Sequence, residues 1–288
     1  MIPLKKRLQQ MQQSKKLPWE ALERDYLFSA VLAAIGLSAP LQGTLIFKGG
    51  ACLKKFYFGK YRLSEDLDFS TLEGAPQGEA LELAVQEVCR SVEELLRPLG
   101  QVKLQCTRYL EREPHPHGQE AFIIRARLPW HSDFHTKVMI EISREETLVC
   151  LPQKRNLLHE YGDEIQGTLA VYALEEIVAE KLRAILQQVA RADQRSWVRP
   201  RARDYYDLWK ILGSHPEILE IPDFRQLLRA KCQPKGVDFI GPESFFPTVM
   251  MEAVERTWSN WMGPLVSELP PWNQVRNELQ PLIERLLS

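Results

Sequence analysis

Two aspartates separated by one residue carry the strongest chemical signal in the sequence. Asp66 and Asp68 alternate with Leu67 and Phe69, and the two-residue period of a β-strand would place both carboxylates on one face. Two carboxylates on one face repel each other and lose hydration unless a cation compensates. Mg²⁺ (or Mn²⁺) is the usual compensation, because hard divalent cations prefer carboxylate oxygens and substrate phosphates. The alternative is a solvated loop, the usual setting of an isolated D-x-D.

A pair of glycines precedes the aspartates and ends a second apolar strand. The predicted strand 44–48 runs into Gly49 and Gly50, and a short helix is predicted over 50–58. Without Cβ atoms, the backbone N–H groups of such a turn can approach a phosphate closely. A lone Gly-Gly is usually only a turn. Together with the two aspartates, however, it outlines a nucleotidyl-transfer site.

These two motifs are also the basis of a family resemblance. The segments KGGACL at 48–53 and RLSEDLDF at 62–69 resemble the KGGTAL and R-x-S-x-DLDF motifs of the AbiEii/AbiGii-type nucleotidyltransferase toxins, members of the DNA polymerase β-like superfamily. The chain has Ala51-Cys52 where the family pattern more often has Thr-Ala. The resemblance implies metal binding by Asp66 and Asp68. It also implies an NTP pocket, shaped by Lys48, Gly49, Gly50 and Ser64.

A third acid is expected in a polymerase β-like site, because two metal ions share the carboxylates. In the predicted strand 136–143, Val138, Ile140 and Ile142 face one way and Glu141 faces the other. We therefore take Glu141 as the third metal-binding acid, although superfamily members more often have Asp here. An exposed edge strand would account for the same pattern without any function.

Two further candidates lie in helical segments. Lys181 lies beside the apolar stripe of a predicted helix over 174–190, and Asp204 lies near the start of a helix over 201–212. A lysine at such a position is commonly a surface residue with an exposed head, and a first-turn carboxylate is favoured by the helix dipole. The motifs around them resemble the downstream signature of the toxin family, which implies that both belong to the active site. Asp207 is expected to be a structural partner of a nearby arginine.

The most basic stretch of the chain, residues 181–203, contains seven cations against one acid. Arg191, Arg195 and Arg199 with the interleaved Trp197 suit a single-stranded RNA end, through phosphate contacts and base stacking. A solvated loop between two helices is the alternative. We predict that these arginines bind the RNA acceptor.

The order of the predicted elements indicates an α+β protein. A helix over 19–35 precedes the site, a helix over 78–97 and strands near 101–110 and 120–128 follow it, and only helices are predicted after Tyr172. We predict a polymerase β-like nucleotidyltransferase domain with a mixed sheet over residues 1–165. A helical domain over 166–288, which would contribute Lys181 and Asp204 to the site, follows. Its remaining predicted helices cover 223–231, 244–261 and 272–287.

Composition narrows the class further. The 288 residues carry a net charge of −1 with a pI near 6.6, which argues against bulk electrostatic binding of long nucleic acid. There is no signal sequence and no membrane-spanning run, so a cytoplasmic protein with reduced cysteines is expected. Four clustered histidines flank Pro-rich and turn-like segments and are not expected to bind zinc: His115, His117, His131 and His135.

These observations lead to one functional hypothesis and two alternatives. We expect a Mg²⁺-dependent enzyme that transfers NMP from an NTP to an acceptor hydroxyl. The resemblance implies a tRNA 3′ end as acceptor and a role as the toxin of a toxin–antitoxin or abortive-infection system, with a cognate antitoxin as partner. The alternatives are a nucleotidyltransferase that modifies a small molecule of the antibiotic type, and a nucleotide-binding regulator without turnover.

Overall fold

The computed structural model describes residues 3–110, 119–192 and 199–288. The chain divides into two compact units. The first comprises Met1–Glu146 and Pro152–Tyr172, and the second comprises Thr147–Leu151 and Ala173–Ser288.

The first unit is built on a mixed sheet that, in the described residues, has seven strands in the order β3-β4-β5-β2-β1-β7-β6. The strands are β1 Leu45–Lys48, β2 Asp66–Thr71, β3 Lys103–Tyr109, β4 Glu120–Arg127, β5 Thr136–Ser143, β6 Gln153–Asn156 and β7 Thr168–Val171. β2 pairs in parallel with β5, and β1 pairs in parallel with β7, whereas the other neighbours are antiparallel. The predicted α+β class with a mixed sheet is confirmed.

One face of this sheet is apolar and packed, because apolar residues alternate along the strands. Phe47, Phe69 and Ile142 are register neighbours on β1, β2 and β5 and are fully buried. Helices α1 Leu4–Lys15, α2 Trp19–Leu37 and α4 Gly78–Leu96 belong to this unit, and α2 contacts β5 while α4 contacts β3. The polar residues of the central strands are therefore left on the opposite face.

Several elements differ from those that the sequence predicts. Helix α1 and strands β6 and β7 were not predicted. The two strands give little signal, because β6 has the sequence QKRN and β7 is only four residues long. A polar edge strand shows no apolar alternation, and charges at an edge protect the sheet from pairing with other chains. The predicted helix 50–58 is α3 Gly49–Cys52 followed by a π-helical segment, Leu53–Phe58.

The second unit is helical wherever the structure describes regular elements. Its helices are α5 Leu174–Ala192, α6 Ala202–Ser214, α7 Phe224–Cys232, α8 Thr248–Met262 and α9 Trp272–Leu286. Helix α8 begins after Pro247 and not at the predicted residue 244, since proline suits a helix start and 242–245 form a 3-10 turn. α6 contacts α5, α8 and α9, and Tyr205 in its first turn is fully buried.

The five cysteines are free thiols in the structure. In the described ranges, no helix is long and apolar enough to cross a membrane.

Candidate active site

A row of charged residues crosses three neighbouring strands on the polar face of the sheet. Asp68 on β2 is the register partner of Lys48 on β1 and of Glu141 on β5. Directly paired residues point to the same face of a sheet, and Asp66 joins them because it lies two residues before Asp68. Both aspartates are half-buried, whereas Leu67 between them is fully buried. The first unit thus brings the three predicted metal-binding acids to one face.

Glu141 does not lie on an edge strand. β5 is flanked by β4 and β2 in the sheet order, so the explanation that an exposed edge presents this carboxylate harmlessly is wrong. Glu141 is half-buried and its Oε2 accepts a hydrogen bond from Gln119 Nε2 at 2.9 Å. A second carboxylate directly opposite Asp68 on an interior strand is destabilising because the like charges repel, and a bound cation would remove that repulsion.

The two glycines are packed against the side chains that follow them in the motif. Gly49 has φ +76°, and a Cβ at this position would lie well inside van der Waals contact of Asp68 Oδ2. A Cβ on Gly50 would collide with the guanidinium of Arg62 and would lie 3.1 Å from Ser64 Oγ. Backbone and carboxylate therefore approach each other as closely as glycine alone permits.

Arg62 is a site residue to which the sequence analysis assigned no role. Its side chain is buried, and Nη1 donates to the carbonyl oxygen of Leu63 at 3.1 Å and lies 3.5 Å from Ser64 Oγ. The guanidinium packs against the Gly-Gly turn at Gly50. The signal that could have revealed it is its match to the arginine of the R-x-S-x-DLDF motif.

The close approach at Gly49 gives a testable expectation. Gly49→Ala should lower the transfer rate at least about tenfold, because the new methyl group must displace the Asp68 carboxylate that we assign to metal binding. The left-handed backbone should also cost about 1–2 kcal/mol of stability. Gly74 is the matched control, since it has φ +83° and nothing lies within 4 Å of the place that a Cβ would occupy.

Gly74→Ala should therefore show a similar loss of stability and a normal transfer rate. Thermal melting and single-turnover transfer, measured on both variants, separate the two effects. Equal transfer rates in the two variants would show that the position of Asp68 next to Gly49 is unimportant for the reaction.

Lys48 is held beside the carboxylate row by two residues that the sequence analysis missed. Its Nζ lies 5.5 Å from the centre of the Tyr172 ring and 3.9 Å from Glu146 Oε1. The Tyr172 hydroxyl in turn forms a 2.7 Å hydrogen bond with Ser70 Oγ. Lys48 is only 8% exposed. An ammonium group in this position can offset the charge of a phosphate close to the carboxylates.

Cys52 replaces the small residue of the family pattern and is fully buried. Burial raises the pKa of its thiol well above the ordinary value. The charge of Arg155 opposes this rise in pKa, and the Asp68 carboxylate adds to it. The thiol therefore stays neutral and acts as a small apolar residue beneath the turn.

The donor chemistry of the polar face fits a hard divalent cation. Asp66, Asp68 and Glu141 offer only carboxylate oxygens, the ligands that Mg²⁺ and Mn²⁺ prefer. In the ranges that the structure describes, no three His, Cys, Asp or Glu side chains already converge as a metal site. The carboxylates share a face, and their rotamers are not arranged around an ion.

In the second unit, Lys181 lies between two carboxylates. Its Nζ is 2.6 Å from Asp207 Oδ2 and 3.2 Å from Asp204 Oδ1, and Arg201 Nη1 is 3.4 Å from Asp204 Oδ2. Lys181 is 8% exposed and Asp207 is completely buried. The surface-lysine explanation is therefore wrong, and the prediction for Asp207 missed its contact with Lys181.

The predicted RNA-binding arginines are only partly within the described residues. Arg191, at the end of α5, and Arg199 are exposed. Arg195 and Trp197 lie outside the described residues, as do His115 and His117. The role of this segment stays a prediction.

The fold and the site together fit a nucleotidyl-transfer enzyme. A strand that ends in a Gly-Gly turn is followed by a strand with two carboxylates on its polar face, as the family resemblance implies. The family model of the nucleotidyl transferase AbiEii toxin of type IV toxin–antitoxin systems matches residues 31–281. The chain belongs to the AbiEii nucleotidyltransferase toxin family and is a nucleotidyltransferase, which confirms the predicted family and enzyme class.

Among solved structures, seven chains match. One is the nucleotidyltransferase toxin MenT4 from Mycobacterium tuberculosis H37Rv, with 20% sequence identity and a TM-score of 0.58 over 93% of this chain and 84% of that chain. At this identity the likeness shows the fold. No curated protein matches the chain.

Proposed function

We propose that this protein transfers NMP from an NTP to an RNA hydroxyl, the 3′ end of tRNA, with Mg²⁺ as the resident cation. The observation that supports this most directly is the row of Asp68 and Glu141, with Asp66 beside them, on the polar face next to the Gly-Gly turn. Membership of the AbiEii family supports NTP as substrate and a divalent metal in general. The choices of tRNA and of Mg²⁺ are our proposal.

Asp66, Asp68 and Glu141 would hold the cation, with Mn²⁺ as a replacement. When bound, the cation neutralises the triphosphate and lowers the energy of the charge that develops during transfer. Lys48 adds a positive charge at the phosphates. The backbone N–H groups of Gly49 and Gly50 approach them without interference from side chains.

The reaction that this arrangement supports is an in-line displacement. The acceptor hydroxyl oxygen forms a bond to the α-phosphorus, the bond from that phosphorus to the bridging oxygen breaks, and pyrophosphate leaves. The hydroxyl proton passes to a carboxylate or to solvent. Positioning and charge stabilisation supply most of the rate enhancement.

The two units would have different roles in the transfer reaction. We assign nucleotide and metal binding to the unit with the sheet, and we assign Lys181 and Asp204 of the helical unit to the same transfer reaction. Arg191, Arg195 and Arg199 would bind the acceptor RNA. These assignments rest on the family signature and on the Lys181–Asp204 ion pair.

The type IV toxin–antitoxin family implies a cognate antitoxin. Since tRNA is a cytoplasmic substrate, the proposed activity also implies a cytoplasmic protein. Modification of the tRNA 3′ end would block aminoacylation and stop growth.

Transfer to RNA is tested directly. The protein, total tRNA, Mg²⁺ and each NTP in turn, labelled on the α-phosphate, should yield tRNA that carries label at its 3′ end, with equimolar pyrophosphate. Asp68→Ala serves as the inactive control. Pyrophosphate release without RNA labelling would indicate a small-molecule acceptor, and no pyrophosphate release with any acceptor would indicate a regulator without turnover.

A further inference from the structure

The face that carries the acids continues as an exposed basic surface on the neighbouring strands. Lys137 lies on the same face of β5 as Glu141, four residues earlier, which is about 13 Å along a strand. Its register partner on β4 is Arg125, and Arg127, two residues further, is the partner of Lys103 on β3. Lys103, Arg125 and Lys137 are exposed and Arg127 is half-buried. We call these four residues the basic stripe.

The basic stripe is unfavourable for folding. Arg125 lies directly opposite Lys137, and like charges opposite each other destabilise a sheet. Lys103 is compensated by Glu93, whose Oε2 lies 2.8 Å from Lys103 Nζ. An anion with several negative charges, bound to this surface, would account for cations that lie directly opposite each other on an exposed sheet.

Aromatic side chains lie at the end of the stripe, in the connection between β4 and β5. The Arg127 guanidinium carbon lies 6.0 Å from the centre of the Phe134 ring. Phe134 lines a pocket of about 600 Å³ that α1 and α2 help to form, together with Trp19, Trp130, Asp133, Lys5 and Gln12. Rings, amides and a lysine in one pocket are the groups that bind a nucleobase and its phosphate.

A buried carboxylate fixes the orientation of two rings that line this pocket. Glu23 is completely buried, and its Oε1 accepts from Trp130 Nε1 at 2.6 Å and lies 2.9 Å from His131 Nε2. Its Oε2 accepts from Thr136 Oγ1 at 3.1 Å. Rings that are held in place by a buried group lose less entropy when a base stacks on them.

We infer that the basic stripe binds the phosphodiester backbone of the acceptor RNA and that the pocket stacks one of its bases. A single strand would then run along β5 toward Asp66 and Asp68. This inference rests on the proposed RNA acceptor. It places RNA on the sheet itself, a surface different from the arginines at 191–199. Single-stranded RNA fits better than an acidic protein, because the stripe ends in rings that can stack on bases.

The test compares two charge-matched double variants. Arg125→Ala with Lys137→Ala removes two cations from the stripe. Arg90→Ala with Arg97→Ala removes two exposed cations, one on α4 and one just after its end, and each of these arginines pairs with a glutamate. For the stripe variant, the KM for tRNA should rise about tenfold, and the slope of log K against log salt should flatten by about 1.4. Its kcat and its KM for NTP should match those of the control.

Trp19→Ala tests the pocket separately, because Trp19 makes an edge contact with Trp130 and, unlike Trp130, does not bind Glu23. Its KM for tRNA should rise about tenfold, with little change in salt dependence, since stacking carries no counterion release. A KM for tRNA that equals that of the wild type would remove the pocket from the proposal.

Binding of a short single-stranded RNA with a 5′ fluorescein, followed by anisotropy, separates this inference from the proposed function. If the wild type labels tRNA but the stripe variant matches the control in KM and salt slope, the stripe inference is wrong and the function stands. If the wild type labels no RNA but binds the probe, and the stripe variant does not, the function is wrong and the stripe stands. If the wild type neither labels nor binds RNA, both are wrong. A stripe variant that loses only the antitoxin would make this face a protein interface and would overturn the inference.

Discussion

Asp68→Ala should lower the rate of nucleotide transfer by about 10²-fold or more and change the melting temperature little. The variant loses a carboxylate that we assign to the cation. It relieves the repulsion between Asp68 and Glu141, which are directly paired on β2 and β5, and it gives up the attraction between Asp68 and Lys48 on β1, so the two effects offset each other. Asp66→Ala should behave in the same way, because its carboxylate lies on the same face.

The control is Glu73→Ala, which removes an exposed carboxylate shortly after the end of β2. Transfer rates at saturating NTP and RNA, together with thermal melting, give both quantities for each variant. If Asp66→Ala or Asp68→Ala retains more than about a tenth of the wild-type rate, the substituted aspartate is not a metal ligand. A large drop in melting temperature would instead assign it a structural role.

Lys181→Ala should lower the free energy of unfolding by about 3 kcal/mol or more. The substitution removes the ammonium group 2.6 Å from Asp207, whose side chain is completely buried. A buried carboxylate that loses a cation partner is strongly destabilising. The family resemblance implies only an active-site role for Lys181, and the burial of Asp207 adds a structural one.

A double variant separates stability from chemistry. Lys181→Met with Asp207→Asn removes both charges while it preserves the side-chain volumes, so much of the lost stability should return. If Lys181 serves the transfer reaction, activity should remain low in this stable variant. Urea unfolding and transfer rates are the measurements, with Arg229→Ala, an exposed cation on α7, as control. Full transfer by the double variant would make Lys181 a structural residue.

The local parts of the site follow from the sequence alone. Asp66 and Asp68 share a face because strand geometry has a two-residue period, and Leu67 and Phe69, which alternate with them, predict which face is buried. The same two-residue period places Glu141 on the opposite face of its strand from Ile140 and Ile142. The order of strands and helices is also enough to predict an α+β protein. These features depend only on residues a few positions apart.

The pattern of apolar and polar residues was insufficient to predict features that depend on contacts between different strands or helices. β6 and β7 were missed, because a strand of four residues is too short to show a clear alternation and is stabilised by its neighbours in the sheet. The buried state of Lys181 was missed because an amphipathic helix shows which face packs and not which side chain packs against it. Asp207 supplies that partner.

The register that completes the site depends on contacts between strands that are far apart in the sequence. The pairing of β2 with β5 places Glu141 opposite Asp68, and the turn after β1 places Gly49 in close contact with the Asp68 carboxylate. The pairing of β4 with β5 likewise sets Arg125 against Lys137. A strand's own sequence tells which residues share a face. Which residues of other strands stand beside them depends on the register of pairing, which is set by the packing of the whole sheet.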